Sequence, residues 1–176
     1  MKVLGISGSL RQDSFNTELL RAAAGLLPPG VEFEEFTGLR EVPPYDADTD
    51  SDPPAAVVAL KDAIAGADAV LIATPEYNHS IPGVLKNALD WVSRPIAENP
   101  MRGKRALVIG ASTGMFGAVW AQAETRKVLG ALGARVVDEE LPVAKAPDGL
   151  DDPELLDRLA DLMRELARPA ERVRAA

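Results

Sequence analysis

The sequence predicts an α/β fold, a single domain built on a doubly wound, five-stranded parallel sheet in the order 2-1-3-4-5. Three observations point there. Short apolar runs alternate with stretches of helical period along the chain, the pattern of βα units. Two of those runs, Ala69–Thr74 (AVLIAT) and Ala106–Ala111 (ALVIGA), are apolar without a break, as strands buried on both faces are. The 176 residues, 47% hydrophobic and 26% charged, suit one globular core better than two domains or a disordered chain.

The first strand is Val3–Ser7, ended by Gly8. Ser14–Leu27 follows as a helix, with Leu19, Leu20, Ala23 and Leu27 on its apolar stripe and Pro28-Pro29-Gly30 as its stop. Val31–Phe36 (VEFEEF) alternates apolar and charged residues over its first four positions, which places it near an edge with one face in water. The acidic, proline-bearing segment Val42–Pro53 reads as the longest stretch without regular structure, and a helix at Pro54–Ala65 comes after it. The strand Ala69–Thr74 leads to a helix at Gly83–Ser93, where Val84, Leu85, Ala88, Leu89 and Val92 form a stripe behind Pro82. Ala106–Ala111 leads to a helix at Gly117–Leu132, then to a shorter, more polar strand at Arg135–Asp138. The last helix, Asp151–Leu166, is capped by Asp151 or Asp152, and the closing ARPAERVRAA reads as a frayed end. Right-handed crossovers between such units give the doubly wound order.

Composition narrows the function. Nineteen Lys and Arg against 27 Asp and Glu leave a net charge of −8, which opposes non-specific binding to nucleic acid or an anionic membrane. With no cysteine, disulfides, thiol nucleophiles and thiolate metal sites are excluded, and one histidine cannot make a multi-histidine metal site. The N-terminal apolar run is too short for a secretory signal, so the cytoplasm is the expected compartment.

Ligands of doubly wound sheets bind beyond the carboxyl ends of the strands, near the point where the winding reverses. That rule selects three loops: Gly8–Phe15, Pro75–Gly83 and Ser112–Gly117. The first gathers Ser7, Ser9, Arg11, Ser14 and Asn16 at a helix N-terminus, which already offers free N–H groups and partial positive charge. Such a set suits a phosphate monoester. The loop lacks G-x-G-x-x-G and the lysine of a Walker A loop, which disfavours dinucleotides and nucleoside triphosphates.

GSLRQDSFN after the first strand and PEYNHSIPGVLKNALDWVSRP after the third closely resemble the NADPH-dependent FMN reductase family, which includes quinone and chromate reductases. The likeness runs from about Val3 to Val137. It implies a flavodoxin-like fold, non-covalent FMN, and NADPH or NADH as co-substrate. By the family pattern Ser9, Arg11, Ser14 and Asn16 contact the FMN phosphate, with Phe15 in the same turn. Pro75, Glu76, Tyr77 and Asn78 line the flavin ring, on a route stiffened by Pro75 and Pro82 so that main-chain groups meet the ring's polar edge. Ser112, Thr113 and Gly114 lie beside the flavin in the third loop.

No side chain is assigned a catalytic role, because hydride transfer to flavin N5 needs stacking and distance rather than a protein base. His79 is expected to be solvated, and Glu76 to act as a cap or a bridge to a neighbouring subunit. The expected function is an NAD(P)H:acceptor oxidoreductase working by ping-pong hydride transfer. Its acceptors would be quinones, free flavins, azo or nitro compounds, or metal oxyanions such as chromate. A flavodoxin-type electron carrier is the alternative.

The chain departs from the commoner family pattern, Gly-Gly-x-Arg-x-Gln plus an aromatic, and reads Gly117-Ala118-Val119-Trp120-Ala121-Gln122-Ala123. A subunit contact relying on that arginine and aromatic is absent, which weakens a homotetramer more than a homodimer. Trp91 and Trp120 flank their helices' core stripes and are expected, partly exposed, to help form a homodimer interface near the flavin.

Overall fold

Parallel pairing of Val3 with Ala69, and of Ala69 with Arg105, sets three apolar strands side by side at the centre of the sheet. In the computed structural model, which describes residues 1–168, the strands are β1 (Lys2–Ser7), β2 (Glu32–Phe36), β3 (Ala69–Ala73), β4 (Arg105–Ala111), β5 (Arg135–Val136) and β6 (Pro142–Val143). The helices are α1 (Phe15–Gly25), α2 (Ala55–Ala65), α3 (Gly83–Val92), α4 (Val119–Ala131), the single turn α5 (Ala146–Gly149) and α6 (Pro153–Leu166). The sheet order is β2-β1-β3-β4-β5, all parallel, as the sequence predicts. The tail expected to fray lies, from residue 169 on, outside the described residues.

Strand alternation divides the core into two layers. Leu4, Ile6, Val70, Ile72 and Val108 face α2, α3 and α4, which contribute Leu60, Ile64, Leu85, Leu89 and Leu129. Val3, Leu71, Leu107 and Ile109 face the other way, onto Leu19 and Leu20 of α1 and Leu159, Met163 and Leu166 of α6. Every residue of β3 is buried, whereas no residue of β2 is, as suits a strand at the sheet edge. Asp152 caps α6 by accepting the Glu154 amide at 2.9 Å.

Three expectations change. The fifth strand is only two residues long, and β6 pairs with the end of β4, through Gly110–Pro142 and Ala111–Val143. A two-residue strand beginning with proline has no period to read in the sequence. The segment 42–53 is ordered by contacts rather than by a ladder: Asn87 accepts the Tyr45 amide and donates to Pro43 O, each at 2.8 Å. Trp91, expected at an interface, is 1% exposed. Its indole donates to Pro43 O at 2.8 Å and Tyr45 meets it edge-on at 5.0 Å, so it finishes the monomer core under that segment.

Candidate active site

Three loops leave the carboxyl ends of β1, β3 and β4 and meet around a cleft of about 370 Å³. That volume lies within the usual range of small-molecule sites, roughly 300–1,000 Å³. The first wall follows from how β1 ends. Gly8 continues the β1–β3 pairing by donating to Ala73 O at 2.8 Å, and the chain then turns through Ser9–Asp13 into α1. Ser14 is the N-cap of α1: its hydroxyl accepts the Asn16 amide at 3.2 Å and keeps its own proton to donate. Ser9, Ser14 and Arg11 therefore line the cleft together beside the start of α1, a donor set of the kind that suits an anion. Arg11 stands over the Phe15 ring, 5.0 Å from its centroid, and has no ion-pair or hydrogen-bond partner for its side chain among the described residues. Arg40 steadies this loop by donating to Leu10 O at 2.6 Å.

Asn16 differs from its expected role. Its carboxamide is 4% exposed and spent on the main chain of Ala111: Nδ2 donates to Ala111 O and Oδ1 accepts Ala111 N–H, each at 2.9 Å. It joins the first loop to the third while lining the cleft, and both ends of its carboxamide are already engaged.

The second wall is Pro75–Tyr77. Thr74 extends the ladder to Ile109 O, and Tyr77 and Ser80 pair antiparallel across a tight turn, with bonds of 3.2 and 3.1 Å. Both central residues, Asn78 (φ 54°) and His79 (φ 59°), are left-handed, the geometry of a type I′ turn. Asn78 is thereby carried to the exposed tip and does not line the cleft. His79 also lies outside it, edge-on to Trp120 at 4.6 Å and 3.6 Å from Glu76, which fits its expected solvated position.

Glu76 lines the cleft and caps a distant helix. Its Oε2 accepts the amides of Trp120 and Ala121 at 3.0 and 3.2 Å, satisfying donors at the start of α4. In return, Glu124 of α4 reaches back to the turn: Oε2 accepts Ser80 Oγ at 2.5 Å and Ile81 N–H at 3.2 Å. The Ser80 hydroxyl first, then the Ile81 amide, hold the Glu124 carboxyl below the usual carboxylate range.

The third wall is Ser112 and Thr113. Ser112 is fixed by its main chain, which donates to Val143 O and accepts Ala146 N–H, both at 3.0 Å. Gly114 is fixed similarly, through Lys145 N–H at 3.1 Å, but lies outside the cleft. Gly117 (φ +57°) passes so close to β6 that a Cβ would fall 2.5 Å from Pro142 C. Buried Gln122 clamps the same junction by donating to Gly117 O and accepting Leu141 N–H.

Ten of the twelve expected residues thus line one cleft: Ser9, Arg11, Ser14, Phe15, Asn16, Pro75, Glu76, Tyr77, Ser112 and Thr113. Ala111 lines it too and was missed, since an alanine carries no signal for a main-chain role. Glu124 and Gln122, which hold loop main chain without lining the cleft, were missed as well. A glutamate on a helix reads as a solvated charge, and only the tertiary contact gives it meaning.

The sequence profile of NADPH-dependent FMN reductases matches residues 1–148. The chain belongs to the NADPH-dependent FMN reductase family. Within this family it is 44% identical over 168 residues to an NAD(P)H-dependent FMN reductase of Pseudomonas aeruginosa, covering 94% of this chain and 89% of that one. It is 48% identical over 128 residues to a 2-hydroxy-1,4-benzoquinone reductase of a Burkholderia species, covering 73% and 69%. Among solved structures, the flavoenzyme NAD(P)H:(acceptor) oxidoreductase FerB of Paracoccus denitrificans superposes with a TM-score of 0.79 at 35% identity, covering 93% of this chain and 97% of FerB. An azoreductase of Bacillus anthracis, at 16% identity and a TM-score of 0.70, shares the flavodoxin-like fold. As an FMN reductase, the chain is an oxidoreductase that uses FMN and NAD(P)H. No helix among the described residues is long and apolar enough to cross a membrane.

The cleft fits this cofactor on its own chemistry. One end offers unspent hydroxyl and amide donors and an unpaired guanidinium, as a phosphate monoester requires. The other is walled by the stiff Pro75–Tyr77 segment, whose main-chain groups suit the edge of a planar polar ring.

Proposed function

We propose that this chain is an FMN-dependent NAD(P)H:quinone oxidoreductase, with the cofactor held in the cleft between the β1, β3 and β4 loops. The observation that carries the reading is the cleft's polarity: an anion-binding end at α1 and a rigid main-chain wall at Pro75–Tyr77. When bound, FMN would supply the redox chemistry, a two-electron relay between NAD(P)H and the acceptor.

The chain's own residues bind and orient. Ser9, Ser14 and the α1 amides donate to the phosphate, and Arg11 supplies the full positive charge. Asn16 holds the first and third loops at fixed separation, and Glu76 and Glu124 hold the second loop on α4. Orientation is where such a protein lowers the barrier, because no side chain here needs to move a proton for hydride transfer. Quinones are the acceptor class the reading favours, from the names of the relatives at 39–48% identity. Azo compounds rest only on distant fold neighbours, and nothing favours an electron carrier.

The partner we propose is a second copy of this chain. Met115, Phe116, Tyr77 and Trp120 are exposed, and Phe116 packs on Trp120 at 4.9 Å, on the helix whose first amides Glu76 of the cleft holds. A contiguous apolar patch of this kind is suited to a two-fold contact.

The deciding experiment is an anaerobic titration of the purified chain loaded with FMN. The visible flavin bands should bleach with NADPH or NADH and return on adding a benzoquinone. A chain that binds no FMN, or whose flavin is not reduced by either nucleotide, overturns the reading.

A further inference from the structure

Resting on the flavin-site reading above, we propose that Glu124 is a positioning residue of the reaction, holding the Tyr77–Ser80 turn on α4 and so fixing the Pro75–Tyr77 wall of the cleft. The turn has a conformational cost to meet: Asn78 and His79 both occupy the left-handed region without being glycine, which Asn and His adopt more readily than most residues but which still favours support from outside. Its own pairing is one bridge, Tyr77 with Ser80. What fixes it from outside is a reciprocal link to α4, in which two carboxylates run in opposite directions. Glu76 leaves the loop to hold the Trp120 and Ala121 amides, and Glu124, one turn further along the same helix, returns to hold Ser80 Oγ and Ile81 N–H. Both of the latter bonds fall on one oxygen, Oε2, so a single side chain closes the end of the loop that Glu76 leaves open.

The consequence is specific to one end of the cleft. The proposed phosphate end is built by Ser9–Asn16 and clamped through Ala111, and among the described residues none of these bonds involves Glu124. Loosening the turn leaves that anchor in place and lets the ring wall shift, and misplacement by about 1 Å can cost roughly a hundredfold in rate. A side chain that merely stabilised the fold would instead weaken cofactor binding and turnover together.

The experiment compares Glu124→Ala and Glu124→Gln with wild type. In the flavin-free chain, amide exchange over residues 76–81 should quicken in Glu124→Ala. In the holoenzyme, the FMN Kd should stay within about threefold of wild type, while kcat/KM for NAD(P)H falls about tenfold or more and the visible flavin band shifts. Glu124→Gln keeps an acceptor oxygen for Ser80 and Ile81 and should recover much of both. Should Glu124→Ala not fold, Ser80→Ala removes the 2.5 Å donor from the other side and should move the same readouts in the same direction. Unchanged exchange, or faster exchange with an unaltered band and rate, overturns this proposal alone. A wild-type chain that binds no FMN overturns the functional reading and this proposal with it.

Discussion

The carboxamide of Asn16 and the main chain of Ala111, 95 residues apart in sequence, exchange two hydrogen bonds of 2.9 Å inside the protein. This pair joins the helix that follows the first strand to the end of the fourth strand. It sets the distance between the proposed phosphate-binding loop and the third loop. Asn16→Ala would leave a buried N–H and C=O at Ala111 without partners. We expect a loss of roughly 2–4 kcal/mol in unfolding free energy, measured by urea titration, with weaker FMN binding beside it.

The Arg11 side chain is exposed, lies over the Phe15 ring and makes no hydrogen bond or ion pair among the described residues. Arg11→Ala should therefore leave unfolding within about 0.5 kcal/mol of wild type. It should weaken FMN binding by roughly 1.5–3 kcal/mol, the worth of a charge-assisted bond. Flavin fluorescence titration reads the second quantity, and unchanged affinity would remove Arg11 from the phosphate site.

Gly117 combines a positive φ with main chain of β6 on its Cα side. Gly117→Ala should cost about 3 kcal/mol or more, since both strain and a clash with backbone must be relieved. The disturbance should reach Ser112, whose main chain hangs on the same strand. Thermal unfolding of the variant, with and without FMN, checks this.

The Glu124 carboxyl titrates below its ordinary value of 4.5 because Ser80 and then Ile81 donate to its charged form, with Lys127 of the same helix adding attraction. A carboxyl depressed in the folded state contributes stability that is full above its unfolded value and is lost as pH falls through its folded value. The stability difference between wild type and Glu124→Gln should thus hold at neutral pH, shrink below about pH 4.5 and vanish in stronger acid. A difference that grew on acidification would contradict the tether.

The two tryptophans should behave differently. Trp91→Phe removes a buried indole donor from Pro43 O and should destabilise the monomer by about 1–3 kcal/mol. Trp120→Ala should leave monomer stability nearly unchanged and weaken self-association, read by sedimentation at micromolar concentration. A strict monomer in the wild type would remove the proposed two-fold contact.

How much was legible follows from how local each signal is. The unbroken apolar runs at 69–74 and 106–111 and the mixed pattern of VEFEEF report burial directly, so the first four strands, the sheet order and the three loops that meet at the cleft could be read from sequence, while β6 could not. Serines, an arginine and a helix start at 9–16 likewise mark the loop that the reading assigns to an anion, since charge and donor density are local properties. The tertiary structure alone decided where side chains spend their hydrogen bonds. It turned Asn16 toward Ala111, made Glu76 the cap of α4, gave Glu124 a loop to hold and buried Trp91 under Pro43. Periodicity along one segment shows which face is buried, but a partner 44 or 95 residues away is chosen only when the sheet brings the two segments together.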